Sequence, residues 1–432
     1  MGKYFGTDGI RGIYQENLTI ELAYKLGASI AQCLGPKTLV IGMDTRASSR
    51  DLVEAVVQGY KTISDYIIFA GVCSTPMIAH YAKLKNITGV MITASHNPYM
   101  YNGIKVFHKG FKLSKDEEFM IEERMDSILY KELKPLDMKV SLEVKNAYLK
   151  IYEDLSLPKV NLNLGLDCAH GATYEIAPFI FNKITHSFSI IGATPDGYNI
   201  NKGVGSTEPQ ALMDLVKEQN LDLGFAFDGD GDRIFVIDHE GIIYDGDLLV
   251  YVIASYLKDK QLLNHNKVVL TKMSNPGLLK ALNEKGIDYI LTDVGDKYVA
   301  EALIKEDLSV GGESSGHLIM PHLLHSGDGL LVATYVIKIL SETKKTLKEL
   351  TSHVTFYPLK LVNLKDMDKK ILNEEEIRQK IDEIKTSLGP DALCLIRASG
   401  TEPLIRITIS HQDEDVMNNS IDQIIKLLKK EV

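Results

Sequence analysis

Three aspartates separated only by glycines, Asp228-Gly-Asp230-Gly-Asp232, are the residues of this chain most plainly suited to chemistry. Three carboxylates so close together would repel and raise one another's pKa unless a cation sat among them. An all-oxygen ligand set points to Mg²⁺ or a similar hard ion, and the glycines let the loop wrap tightly around it. An EF-hand also begins D-x-D-x-D. Here its sixth position is Arg233 where Gly is needed, and its twelfth is His239 where Glu is needed, so that reading fails. The bland alternative is a solvated acidic turn, which the apolar run just before it argues against.

Ser95 lies in a second cluster, Thr93-Ala-Ser-His96-Asn-Pro98. A loop serine is usually a cap or turn residue, and no nucleophile elbow frames this one. Yet the chain offers a metal site with neither a Walker loop nor a G-x-G-x-x-G. Phosphoryl chemistry without a nucleotide needs another donor, and a phosphorylated Ser95 would serve. A third cluster, Arg397-Ala-Ser399-Gly400-Thr401-Glu-Pro with Arg406, has the parts of a phosphate cradle or of a tight turn. Glu313 and Ser315 suit sugar hydroxyls or simple loop capping. His317 reads as an acid/base or as a loop histidine.

Weakly repeated elements would have to position these clusters. An apolar run, an amphipathic stretch and a second run occur at Leu39–Met43, Asp51–Tyr60 and Tyr66–Ala70. The order returns at Leu162–Asp167, Tyr174–Phe181 and Phe188–Gly192, and again at Val268–Thr271, Gly277–Asn283 and Tyr289–Thr292. Each copy continues to a last strand, expected at Gly89–Ile92, Leu223–Phe227 and Leu308–Val310. Alternation of this kind predicts α/β layers, with ligands beyond the carboxyl ends of the strands. The clusters at 93–98, 228–233 and 311–317 follow those last strands directly. Three similar mixed α/β domains (1–155, 156–255 and 256–360) and a smaller α+β domain (361–432) around a central cleft are therefore expected.

Composition bounds the partners. At 432 residues, with 45% hydrophobic and 25% charged, the chain reads as a multidomain globular protein. A net charge of −10 argues against nucleic acid, and no apolar run is long enough for a membrane span. No signal-peptide core opens the chain and Gly6 breaks a myristoylation motif, so a cytoplasmic location is expected. The four scattered cysteines, without C-x-x-C, suggest neither zinc nor disulfides.

Taken together, Phe5–Gly12, Ser95–Pro98, Asn102–Lys105, Asp228–Arg233, Val294–Tyr298, Glu313–His317 and Arg397–Arg406 resemble the α-D-phosphohexomutase superfamily, in its order and over essentially the whole chain. The resemblance implies a phosphorylated Ser95 that also supplies an oxygen to Mg²⁺, with Asp228, Asp230 and Asp232 as the other ligands. It places Arg11, Lys105 and Arg233 near the transferring phosphoryl, with His96 beside the serine and His317 as acid/base. Lys297, Glu313 and Ser315 would meet the sugar. Arg397, Ser399, Gly400, Thr401 and Arg406 would hold the distal phosphate. Ala398 stands where proline is usual, and Lys297 replaces a common arginine. Ser314 stands where the family's enzymes for neutral sugars often carry Met. The implied substrate is a small phosphosugar, glucosamine 6-phosphate, converted to the 1-phosphate through glucosamine 1,6-bisphosphate. Phosphomannomutase/phosphoglucomutase activity is the alternative, and a non-catalytic sugar-phosphate sensor a more distant one. A homodimer is compatible with the resemblance.

Overall fold

The computed structural model describes all of the chain except residues 1, 36, 37, 156, 158, 399–403, 431 and 432. The first sheet contains β1 (Ile10–Ile13), β2 (Leu39–Met43), β3 (Ile67–Val72), β4 (Thr88–Ile92), β5 (Tyr101–His108) and β6 (Phe111–Lys112). Its order is β1-β5-β4-β2-β3, with β6 on β5. The second contains β7 (Val160–Asp167), β8 (Thr185–Ile191), β9 (Leu223–Phe227), β10 (Ile234–Asp238) and β11 (Ile243–Tyr244), ordered β11-β10-β9-β7-β8. The third contains β12 (Lys267–Thr271), β13 (Asp288–Thr292), β14 (Gly311–Gly312) and β15 (Leu318–Ile319), ordered β13-β12-β14-β15.

The repeat is thus real, and it extends further than its apolar runs suggest. In each sheet the first long strand (β2, β7, β12) pairs in parallel with the next two. The second of those two then pairs antiparallel with a returning strand, β5, β10 or β15. The returning strands were not expected. They turn each polar cluster into the connection of a hairpin, at 93–100, 228–233 and 313–317, so each turn springs from two paired strands.

One strand falls elsewhere than expected. In the third copy pairing is made by Gly311–Gly312, not by Leu308–Val310. Apolar residues mark burial there, whereas pairing requires backbone proximity to β12. A Cβ on Gly311 would lie 2.7 Å from the Val269 carbonyl oxygen, so the close approach favours glycine.

Helices follow from local pattern. Ser49–Tyr60 buries Leu52, Val53, Val56 and Val57, an i, i+1, i+4, i+5 stripe. Gly246–Asp259 is capped by Asp245 and buried on nearly every side, which explains its apolar run. It runs unbroken through residue 255, where a boundary was expected. No helix among the described residues is long and apolar enough to cross a membrane, and all four cysteines are free.

Buried side chains from all three sheets, Val40 and Met91, Leu166 and Phe225, Val268 and Leu270 among them, form one continuous core. The tail is built separately. There β16 (Leu359–Lys365), β17 (Leu393–Ala398) and β18 (Leu404–Ser410) pair antiparallel in the order β16-β18-β17, covered by helices Glu375–Leu388 and Glu414–Lys429. Its core, built on Ile405, Ile407, Ile409 and Ile424, is a distinct cluster.

Candidate active site

The three turns and the tail meet around a cavity of about 860 Å³. Arg11 and His96 reach it from the first unit, Asp232 and Arg233 from the second, Glu313, Ser315 and His317 from the third, and Arg397 and Arg406 from the tail. Ser95, Lys105, Asp228 and Asp230 lie just beneath, nearly sealed from solvent.

In this floor Ser95 Oγ donates to Asp228 Oδ2 at 2.6 Å, and His96 Nδ1 lies 3.3 Å from Ser95 Oγ. One oxygen from each of Asp228, Asp230 and Asp232 lies within 4.8 Å of the others. Burial raises the Asp228 carboxyl well above its usual range, and Asp232 and Asp230 push it further. Asp230 Oδ1 and Asp232 Oδ1 are buried acceptors without a hydrogen-bond partner among the described residues. Oxygen donors only, crowded negative charge and unsatisfied lone pairs together fit a hard divalent cation.

Positive charge balances part of this. Lys105 Nζ lies 2.8 Å from Asp230 Oδ2, 2.9 Å from Asp232 Oδ2 and 3.1 Å from Asp8 Oδ2. Arg233 lies 3.9 Å from Asp232. Arg233 Nε and Arg11 Nε are buried donors without a hydrogen-bond partner among the described residues, as suits a site for anionic oxygens. Burial, with Arg233 and Arg11 nearby, pushes His96 down to about 4, so it is neutral at neutral pH. His317 goes the other way. Burial opposes its charge, but Asp232 and Asp296 outweigh it and raise its pKa to about 9.

In the third-unit turn, Glu313 Oε1 accepts from Gly295 N at 2.9 Å, which leaves its other oxygen for a ligand. The string Gly312-Glu-Ser314-Ser-Gly316 matches G-x-S-x-G, but it turns between two strands and is no strand-to-helix elbow. In the tail, Arg397 and Arg406 are direct partners across the β17–β18 ladder. Like charges placed opposite each other are unfavourable unless an anion lies between them. Ser399, Gly400 and Thr401 lie outside the described residues.

Lys297 is not brought into this cavity. Its Nζ turns to Glu118 Oε1 at 2.9 Å, on helix Lys115–Ser127, beside an adjoining cavity of about 440 Å³. Asp8, Lys112 and Asp296 were missed. Lys112 pairs with both aspartates and so bridges the first and third units, while His317 Nε2 lies 3.4 Å from Asp296. Burial opposes ionisation of Asp8, but Lys105, Lys112 and Arg11 hold its carboxyl well below the usual range. Asp8 and Asp296 sit inside two of the motifs read from the sequence, which is the signal that could have found them.

Comparison with known proteins accords with this geometry. Models of the phosphoglucomutase/phosphomannomutase family match in chain order: α/β/α domain I at residues 2–132, domain II at 146–241, domain III at 245–357 and the C-terminal domain at 361–427. Fold and site together define a phosphohexomutase. The chain is 42% identical to phosphoglucosamine mutase of Bacillus cytotoxicus, over all of this chain and 99% of that protein. It belongs to the phosphoglucosamine mutase family. Among solved structures, a phosphoglucomutase/phosphomannomutase family protein from Burkholderia thailandensis superposes with a TM-score of 0.81 at 20% identity, covering 98% of this chain and 97% of that one. Aspergillus fumigatus N-acetylphosphoglucosamine mutase, solved with GlcNAc-6P and magnesium, has the same fold, with a TM-score of 0.66 at 17% identity, covering 99% and 96%.

Proposed function

We propose that the chain interconverts glucosamine 6-phosphate and glucosamine 1-phosphate by way of a phosphorylated Ser95. The observation that carries this is Ser95 Oγ aimed into the aspartate trio beneath a cavity that all four units line. Full-length relatedness to phosphoglucosamine mutases supports the amino sugar.

In the first half-reaction the P–Oγ bond of phospho-Ser95 breaks and a P–O1 bond to the sugar forms. The O1 proton leaves, and Oγ ends protonated. The resulting 1,6-bisphosphate turns around, and its 6-phosphoryl passes back to Oγ with the opposite proton movements. His317, kept charged by Asp232 and Asp296, faces the cavity and in this reading gives its proton to the sugar oxygen that loses the phosphoryl in the second half-reaction, while the O1 proton of the first leaves to solvent. Arg11 and Arg233 hold phosphoryl oxygens, and Lys105, spent on Asp8, Asp230 and Asp232, adds positive charge beside them, so positioning and charge complementarity supply most of the catalysis. Asp228, Asp230, Asp232 and the Ser95 phosphate would hold Mg²⁺, whose charge offsets that of the transferring group. Glu313 and Ser315 meet the sugar hydroxyls. The work belongs where phosphosugars are made, in the cytoplasm, feeding amino-sugar nucleotide and cell-wall precursor synthesis.

Coupled assays with glucosamine 6-phosphate, mannose 6-phosphate and glucose 6-phosphate test the proposal. Glucosamine 6-phosphate should give the highest kcat/KM. Faster turnover of mannose 6-phosphate or glucose 6-phosphate would favour the other hexomutase activity, and no turnover of any would favour a sensor.

Arg406→Ala should leave Ser95 phosphorylation intact while weakening substrate binding by about 1.5–3 kcal/mol, the worth of one charge-assisted hydrogen bond. Its Nε is held by Asn363 Oδ1 at 3.0 Å, so the guanidinium is already aimed when substrate arrives. Bisphosphate held at one end only should leak into the medium, and adding it back should partly restore turnover. Unchanged KM, turnover and leakage would reduce this tail loop to a turn.

A further inference from the structure

Ser95 stands at φ +53°, in the left-handed region that a non-glycine residue enters only when its surroundings hold it there. Both of its peptide groups are held. Its N–H donates to Thr93 Oγ1 at 2.9 Å, and Thr93 Oγ1 donates in turn to Asp44 Oδ2 at 2.7 Å. Its carbonyl oxygen accepts from Arg46 Nη2 and from Asn201 Nδ2, both at 2.9 Å.

Arg46 is wholly buried, and its guanidinium is fully used. Nε donates to Asp44 Oδ2 at 2.8 Å, Nη1 to the carbonyls of Pro98 and Tyr101, and Nη2 to those of Ser95 and Asn97. A guanidinium has five N–H donors, and here all five are used, four on carbonyls of the Ser95 turn and the fifth on Asp44. No other side chain carries five donors in a rigid plane, so lysine could not replace it. Asn201 reaches the same turn from the second unit, donating also to the Asn97 carbonyl at 3.2 Å. The metal-loop backbone closes the third side. A Cβ on Gly229 would lie 2.6 Å from the Ser95 carbonyl oxygen.

We infer that Arg46 and Asn201 are positioning residues for phosphoryl transfer. Arg46 sets the shape of the Ser95 turn, and Asn201 locks that turn to the unit carrying the aspartates. Neither lines the cavity, so both act through the turn that carries Ser95. The inference rests on the phosphoserine reading above.

The test is single-turnover transfer of labelled phosphoryl from glucosamine 1,6-bisphosphate to dephosphorylated enzyme. Asn201→Asp is the informative variant. Asp tolerates the left-handed backbone of position 201 (φ +58°) much as Asn does, but it removes both donors. It and Arg46→Lys should slow transfer and kcat on the order of 100-fold, the cost of misplacing a reacting atom by about 1 Å, with KM within about twofold of the parent. Asn201→Gln, which keeps the amide, should recover part of the loss. Should Arg46→Lys not yield folded protein, Asn201→Asp decides alone. Transfer in Asn201→Asp at the parent rate, with or without a lower melting temperature, overturns the inference. A parent enzyme that takes no label on Ser95 overturns the phosphoserine reading instead.

Discussion

Ser95→Ala should bring turnover down on the order of 10⁶-fold, the loss seen when a covalent nucleophile is removed outright. On the proposed mechanism both half-reactions pass through this one oxygen, and two nearby hydroxyls are committed elsewhere. Thr93 Oγ is committed to Asp44, and Thr75 Oγ1 to Asp230. The fold should survive, because the change removes a single atom whose partner, Asp228, is a carboxyl that burial already biases toward its neutral form. The stability cost should be about 1–3 kcal/mol, for one buried acceptor left unpaired. Intact mass and peptide mapping should find a phosphoryl group on Ser95 in the parent and none in the variant, while calorimetry finds substrate still bound. Phosphate mapped consistently to another residue would refute the assignment.

Removing the metal should be nearly as damaging. Excess chelator should abolish activity, and Mg²⁺ should restore it. Because the cation would bind only the folded arrangement, it should also stabilise the fold, by about 2.7 kcal/mol at a hundredfold excess over Kd. Asp230→Asn should shrink that stabilisation and weaken Mg²⁺ binding, since one of three crowded charges is gone. The metal-free melting temperature should hold. Asp230 contributes to the pressure that raises Asp228, so its neutralisation relieves repulsion even as Lys105 loses a partner. The metal-induced shift in melting temperature reads this independently of activity. Full activity in excess chelator would sink the metal reading.

The chemistry was more legible than the scaffold that aims it. Asp228, Asp230 and Asp232 announce themselves because charges so dense and so closely followed by glycine have few structural uses. Ser95 was weak alone and gained weight only beside them. Repetition gave the α/β layers, since apolar runs at a regular spacing mark buried strands. The returning strands β5, β10 and β15 stayed hidden for different reasons. Tyr101–His108 carries Lys105 and Asn102 inside a buried strand, and Leu318–Ile319 is too short to show any period. Arg46, Asn201 and Lys112 gave little sign because most of their partners lie far away in the chain. Asp44-Thr-Arg46 does follow a strand's carboxyl end directly, at β2, and the same rule applied to first strands as to last ones would have marked it. Lys297 shows the converse: a motif position alone does not say where a flexible side chain turns.

The separate core of the tail has a kinetic consequence. None of the buried side chains that build it belongs to the continuous core of the other three units. Displacing the tail therefore would not unpack that core, and Arg397 and Arg406 would move with it. A bisphosphate in the cleft then faces two competing clocks, its own half-turn and the opening of the gate above it. On the proposed mechanism fidelity becomes a ratio of the two rates. Retention of the intermediate then depends on that ratio as well as on the grip of Arg397 and Arg406.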